Sequence, residues 1–343
     1  MKPKQFVLLA IAAAVSSLLA IASWLLQNQW SSGLVAGSRL LPAFAADAGR
    51  VASLEIKQAG TTLTLEKTGA VWGVKERAGY PADAEKVRAL MVRLSQADLL
   101  EVTTRKADRY ALVELEDPAA KDAKSRGLRA LDAKGGVIAD VVLGKRRADA
   151  FGAGKGGTYV RKPGDPQTWL ASGEIETPLA ARDWIKPQVL DIDHAKVNKL
   201  TLEIEGEEPL NIERSADKDA KIAFVGLPPE GKKLKDAYAA DSLIRAASQI
   251  ELEDVRKIAA PPAGKDVSKL TFETASGLKA LYTLRKEPDA YYYVTITASG
   301  DGDARKEADV INARVGGWEY KISPGKGESL LKRRADLIDD KAS

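Results

Sequence analysis

Three stretches hold residues whose types could do chemistry. Asp191-Ile-Asp193-His194 sets two carboxylates beside the chain's single imidazole, as metal sites do. Asp301-Gly-Asp303 resembles the start of a calcium loop, and the glycine-rich stretch from Phe151 to Gly157 has the composition of a phosphate cradle. Each fails on spacing. One imidazole falls short of a zinc set. Asn312 stands where a calcium loop needs its bidentate glutamate, and the glycine run does not follow G-x-x-x-x-G-K-[ST] with a helix behind it. We read the first as a polar linker, the second as a surface turn and the third as a hairpin tip, and expect no metal and no cofactor.

The remaining chemistry is thin. The chain has no cysteine, which removes thiolate sites and cysteine nucleophiles, and its lone histidine, His194, removes most zinc and triad chemistry. No G-x-S-x-G occurs, and no S-x-x-K with its partner motifs. Paired carboxylates could still hydrolyse glycan or peptide, but nothing in the sequence marks two acids as convergent. No catalytic residue is therefore assigned. Two pairs of charges, Arg182 with Asp183 and Arg334 with Asp336, recur in the two halves of the chain and read first as ion pairs that hold the last segment of each half. With Tyr110, and with Tyr292 in the run Tyr291-Tyr292-Tyr293, Arg182 and Arg334 are the candidate partner contacts.

Composition supports a globular protein. Of 343 residues, 45% are hydrophobic and 29% charged, enough for two ordinary domains. Cations number 52 against 48 acids, interspersed, and this near balance argues against a nucleic-acid partner. Phe6 to Leu26 carries no charge and as a helix would span roughly 30 Å, the thickness of a hydrocarbon core. Lys2 and Lys4 precede it and no cation follows before Arg39, so the N-terminus is expected in the cytoplasm and the bulk of the chain outside. The competing reading is a cleaved signal peptide, since Ala20-Ile21-Ala22 and Ala43-Phe44-Ala45 have the small-x-small form. The first cuts into the apolar run and the second lies far beyond it, so an uncleaved anchor is preferred.

Beyond the anchor, residues 28–50 read as a tether with a short apolar element at Leu40 to Phe44. Leu54, Ile56, Leu63 and Leu65 then alternate as in a hairpin, and Trp72 follows as a core plug. Asp83 introduces a helix whose Val87, Leu90, Met91 and Leu94 share one face. Later strands are expected at Leu128 to Leu131, Val137 to Leu143 and Thr158 to Arg161. The helix ends in Ser95 to Val102, SQADLLEV, which returns at Ser248 to Val255 as SQIELEDV. Val197 to Ile204 echoes Val51 to Ile56, Phe224 takes the place of Trp72, and Asp236 introduces a second helix with Ala240, Leu243, Ile244 and Ala247 on one face. A repeat of this length is a domain duplication and not a solenoid. The expected fold is α+β: an N-terminal transmembrane helix (1–27), the tether, and two tandem duplicated units (51–190 and 197–343, linker 191–196), each of antiparallel strands with a helix packed on one face.

Trp72-Gly-Val74, Tyr80-Pro-Ala-Asp83, Tyr110-Ala-Leu112, Val141-Val-Leu-Gly144, Tyr159-Val-Arg161 and Arg182-Asp-Trp184, in this order behind an anchor, resemble the domain of unknown function 4340 family. Tyr110-Ala-Leu112 departs from the family's usual tyrosine-glycine-leucine. The resemblance implies a bacterial envelope protein with one inner-membrane helix, its bulk periplasmic, and subunits of an export-type ABC transporter of the gliding-motility kind as partners. It implies no catalytic residues. The function expected is that of a non-enzymatic accessory or scaffolding subunit; the alternatives are a carboxylate-dependent hydrolase of the cell envelope and a purely structural envelope protein.

Overall fold

In a computed structural model the described residues are 16–17, 34–215, 221–258 and 267–339. The anchor expected at Phe6 to Leu26 lies outside them except for Ser16 and Ser17. Among the described residues no helix is long and apolar enough to cross a membrane. The fold is mixed α+β, mostly antiparallel sheet with few helices. It divides into two compact units, the first comprising residues up to Ala70 with Ala84–Leu179, the second Val71–Asp83 with the chain from Ala180.

The first unit opens with β1 (Leu34–Arg39), a short helix α1 (Phe44–Asp47), β2 (Val51–Gln58) and β3 (Thr61–Thr68). Where the sequence suggests a tether through Arg50, the chain is already folded, because Leu40 and Phe44 bury their side chains almost completely. After β4 (Val71–Val74) and β5 (Tyr80–Pro81), which belong to the second unit, come α2 (Ala84–Gln96), β6 (Asp98–Val102), β7 (Arg126–Asp132), β8 (Val137–Arg147), β9 (Gly157–Arg161) and β10 (Thr168–Ser172). Their sheet runs β1-β6-β10-β9-β8-β7-β2-β3, each neighbour antiparallel. Leu54, Ile56, Leu65, Leu128, Val141, Val160 and Leu170 form its core, and α2 buries Val87, Leu90 and Leu94. Met91 stays half-buried, at the margin of that face.

In the second unit the strands are β11 (Gln188–Asp191), β12 (Val197–Glu203), β13 (Leu210–Arg214), β14 (Ile222–Phe224) and β15 (Lys233–Leu234), before helix α3 (Ala239–Ser248). There follow β16 (Gln249–Glu251), β17 (Asp254–Lys257), β18 (Val267–Thr274), β19 (Lys279–Lys286), β20 (Tyr292–Ser299), α4 (Asp303–Val315), β21 (Trp318–Ile322), α5 (Pro324–Leu330), α6 (Arg334–Leu337) and β22 (Ile338–Asp339). The main sheet runs β14-β13-β12-β18-β19-β20-β21-β17, again antiparallel throughout. On β18 and β19 burial alternates strictly: Leu270, Phe272, Ala280, Tyr282 and Leu284 go to the core, and Thr271, Thr283 and Arg285 stay on the other face. One face therefore remains open for polar residues. The buried Tyr282 hydroxyl donates to the Ala247 carbonyl at 2.6 Å, tying α3 to the core face; burial pushes that phenol well above its ordinary pKa.

Several local expectations change. Trp72 is half-buried, while Val74 of the same strand reaches the core. Asp236 accepts from the Tyr238 amide and shapes the turn before α3, whose first flanking residue is Tyr238. Asp301-Gly-Asp303 is a turn that opens directly into α4, a helix that sequence periodicity hides because alanines carry half of its buried face: Ala304, Ala308, Ile311 and Val315.

Candidate functional site

The open face of the second unit's main sheet gathers its charged and aromatic side chains into rows. Strand register sets Arg285, Tyr293, Lys321 and Asp254 opposite one another across β19, β20, β21 and β17, and sets Arg256 opposite Glu319 in the next row. Glu319 is buried, 5% exposed, and would be costly there without partners. It accepts hydrogen bonds from Arg256 Nε at 2.7 Å and from Arg285 Nε and Nη2 at 2.9 Å each. Glu287 closes the ring by accepting from Arg256 Nη2 at 2.6 Å and pairing with Arg285 Nη2 at 3.0 Å. Burial acts to lower the Arg256 pKa, but the hydrogen bonds to Glu287 and Glu319 outweigh it and leave the group raised.

Aromatic rings complete the lattice. The Arg256 guanidinium stands 3.9 Å from the centre of the Tyr293 ring, and Lys321 Nζ lies 3.7 Å from that of Tyr291, both within cation–π range. Lys321 also donates to Asp289 at 2.7 Å; that bond raises the lysine pKa and lowers the aspartate's. Beyond Lys321, Arg77 grips Asp254 at 2.5 and 2.7 Å, and the same hydrogen bond raises the Arg77 pKa. Such a surface holds its shape because each charge is fixed by its neighbours. Beside it lies a groove of about 650 Å³ lined by Glu205, Lys286, Glu287, Tyr292 and Arg333. Glu287 is shared by lattice and groove. The arrangement suits recognition of an extended polar partner and presents no pair of unoccupied acids.

A second groove, of about 560 Å³, lies in the first unit, lined by Glu55, Arg129, Asp140 and Arg161 among others. Arg129 pairs with Asp140 at 3.5 Å and with Glu55 at 3.7 Å. Burial raises the Asp140 pKa; Arg129 opposes that shift and Glu55 adds to it. Among the described residues no group of three or more metal-ligating side chains converges on a common point.

The residues singled out from sequence fall in separate places. Tyr110 lies in a short 3-10 segment, Ala107–Val113; its hydroxyl donates to the Pro166 carbonyl at 2.7 Å and the Arg161 guanidinium sits 4.9 Å from its ring centre. Tyr292 is buried, 6% exposed, with Lys286 Nζ 5.3 Å from its ring centre on the groove side. Arg182 pairs with Glu253. Arg334 pairs with Glu208 at 3.4 Å and donates to the Pro209 carbonyl at 3.3 Å, while its Nε is buried without a partner. Asp336, set beside Arg334 in the sequence, instead accepts from the Arg333 amide at the start of α6. Asp191 and Asp193 turn away from metal-binding roles: Asp191 accepts from the Gln249 side chain and Asp193 from the Ala195 amide. At the glycine-rich tip, the Gly154 amide is used by Asp149, and Arg93, Lys155, Glu174 and Glu176 line the adjoining hollow.

Sequence reading missed the Glu319 lattice. Its members sit on four strands and in the β19–β20 turn, and the register of those strands brings them together. The one sequence signal was the alternation of Arg285, Tyr293, Lys321 and Glu319 with apolar neighbours. A model for a family described as Domain of unknown function (DUF4340) matches residues 72–290, more than half of the chain. No curated protein and no solved structure matches it.

Proposed function

We propose a function from one premise: the chain belongs to the domain of unknown function 4340 family. It works as a non-enzymatic envelope protein, held in the bacterial inner membrane by Phe6 to Leu26 with its bulk outside the cytoplasm, and serves as an accessory or scaffolding subunit of an ABC-type export system. The observation that carries this reading is the Glu319 lattice. Its arginines and carboxylates occupy one another on an open sheet face, which supports a shape-holding docking surface over a reacting site. Pull-down of the full chain from mildly solubilised membranes should recover transporter subunits. Recovery of the protein alone across several detergents would count against the assignment.

Duplication is part of the proposal. The orders β3-β2-β7-β8-β9-β10-β6 and β13-β12-β18-β19-β20-β21-β17 correspond strand for strand, and a helix comes directly before β6 and, with the short β16 between, before β17. That correspondence supports two copies of one α+β unit behind a single anchor.

One observation favours a second reading, a carboxylate-dependent hydrolase. Asp140, its pKa raised by burial, faces a groove that also holds Glu55. A carboxyl whose pKa is raised by burial is suited to act as a general acid. Turnover of envelope glycan or peptide that disappears in Asp140→Asn would establish this reading, and equal turnover by that variant would end it.

A further inference from the structure

The sheet of the first unit starts almost at the apolar run. Only Gln27 to Gly33 lie between Leu26 and β1, a stretch that reaches roughly 25 Å at full extension. If Phe6 to Leu26 spans the bilayer, as proposed above, the beginning of β1 is held beside the membrane, and the inference below rests on that reading. β1 is an edge strand, antiparallel to β6, with Leu34 opposite Glu101. The end of β6 and the segment that follows it, Thr103 to Val113, are therefore at the same end of the sheet as the chain's exit toward the bilayer. β9 ends there and β10 starts there too, since Trp169 lies opposite Val102 and Thr168 opposite Arg161.

What this end presents is unusual for an exposed loop. Leu112 is 74% exposed, the most exposed large aliphatic side chain among the unit's described residues. Arg105 and Lys106 are exposed, and neither side chain has an ion pair among the described residues. With Arg109 they outnumber the acids of the segment, Asp108 within it and Glu114 just after it. The segment is also held firmly. Thr103 Oγ1 and Thr168 Oγ1 are 2.6 Å apart, the Thr104 amide donates to Thr168 Oγ1 at 2.9 Å, and Tyr110 is fixed to Pro166 and Arg161. A rigid loop whose outward leucine follows a run of exposed cations matches an interface where acyl chains meet anionic headgroups.

We propose that Thr103 to Val113 docks the first unit onto an anionic phospholipid surface, with Arg105 and Lys106 at the phosphates and Leu112 entering the headgroup layer. Tyr110 is the positioning residue that aims Leu112. The anchor and the loop then act as two linked contacts, so even a weak loop contact is occupied much of the time. The body is thereby fixed in orientation on the membrane.

The chain has no cysteine, so single labels are unambiguous. The full chain carrying Leu112→Cys or Ala148→Cys, each bearing an environment-sensitive dye, is reconstituted into vesicles of phosphatidylcholine with or without phosphatidylglycerol. Ala148 is an exposed control just past β8, at the far end of the strands, where Arg147 lies opposite Gly157 and Gly157 opposite Ser172. Lipids spin-labelled near the headgroup should quench the dye at 112 several-fold more than at 148. The difference should shrink at high salt, in pure phosphatidylcholine and in the background of Arg105→Glu with Lys106→Glu. Equal quenching at the two positions, in a chain that resists extraction by alkaline carbonate, overturns the docking and leaves the anchor standing. Release of the chain by carbonate overturns the anchor and the docking together. Protection of position 112 from aqueous iodide without quenching by lipid also overturns the docking, because it marks a protein on that surface.

Discussion

Arg285 holds Glu319 with two hydrogen bonds of 2.9 Å, Nε to Oε1 and Nη2 to Oε2, across two strands that are not neighbours, β19 and β21. Tyr293 of β20 lies between them, with the Arg285 guanidinium 5.8 Å from its ring centre. The pair reaches over the intervening strand and binds three strands into one patch. Bidentate geometry makes this among the stronger charge contacts a protein can form.

Removing the carboxylate should therefore cost stability. Glu319→Ala strands two guanidiniums beside a buried site, and a loss of about 1–3 kcal/mol is expected, reduced from the fully buried case because both arginines are partly exposed. Urea denaturation measures it. A double-mutant cycle with Arg256→Ala should return a coupling of about 1 kcal/mol; strict additivity would show that the ring does not act as a unit.

Gly327 of α5 has no room for a side chain, since a β-carbon there would lie 1.9 Å from Cδ2 of Tyr292. Tyr292 is buried and cannot swing aside cheaply. Gly327→Ala should destabilise the second unit by about 1–3 kcal/mol, and Tyr292→Leu should recover part of that loss by making space. A melting temperature lower in the double variant than in Gly327→Ala alone would contradict the steric account.

Gly144 plays the same part in the first unit. A β-carbon there would meet the carbonyl oxygens of Val113 and Glu114 and Cδ2 of Leu115, so β8 packs closely against the backbone at the end of the Tyr110 segment. Gly144→Ala should push the segment outward. Trypsin should then cut at Arg105, Lys106 or Arg109 faster than in the parent chain, with a stability loss of about 1–3 kcal/mol.

The Asp289–Lys321 pair sets a pH dependence with two limbs. The aspartate pKa is lowered in the folded chain, so its contribution is complete above the unfolded value near 4 and is lost as pH falls through the lowered one. The lysine pKa is raised, so its contribution is complete below roughly 10.4 and is lost as pH rises through the raised value. Carboxyl chemical shifts of Asp289, followed by NMR titration, should move upward in pH in Lys321→Met. No movement would mean that the hydrogen bond does not govern the shift.

Much of the architecture is legible in the sequence, because hydrophobic period reports which face of an element is buried. Leu54 with Ile56, Val87 with Leu90 and Leu94, and the repeat of Ser95 to Val102 at Ser248 to Val255 all mark elements that the structure contains. The family too is read from short motifs in order. Where alanine stands for a larger apolar residue the signal fades, as in α4. Residues 28–50 read as a tether with one short apolar element at Leu40 to Phe44, because a single strand and two buried side chains leave almost no periodic trace.

The sites were decided elsewhere. Strand order and register exist only once distant segments pair, and no local pattern encodes that Arg256 will face Glu319 or that Arg285 will reach past Tyr293. Nor does the sequence reveal that Leu112 points outward from a loop beside the start of β1. Residue type and spacing determined most of the elements, the lack of thiol chemistry, and the apolar run. Tertiary pairing alone determined which charges neutralise one another and which face of the first unit the chain enters by, because those depend on contacts between residues far apart along the chain.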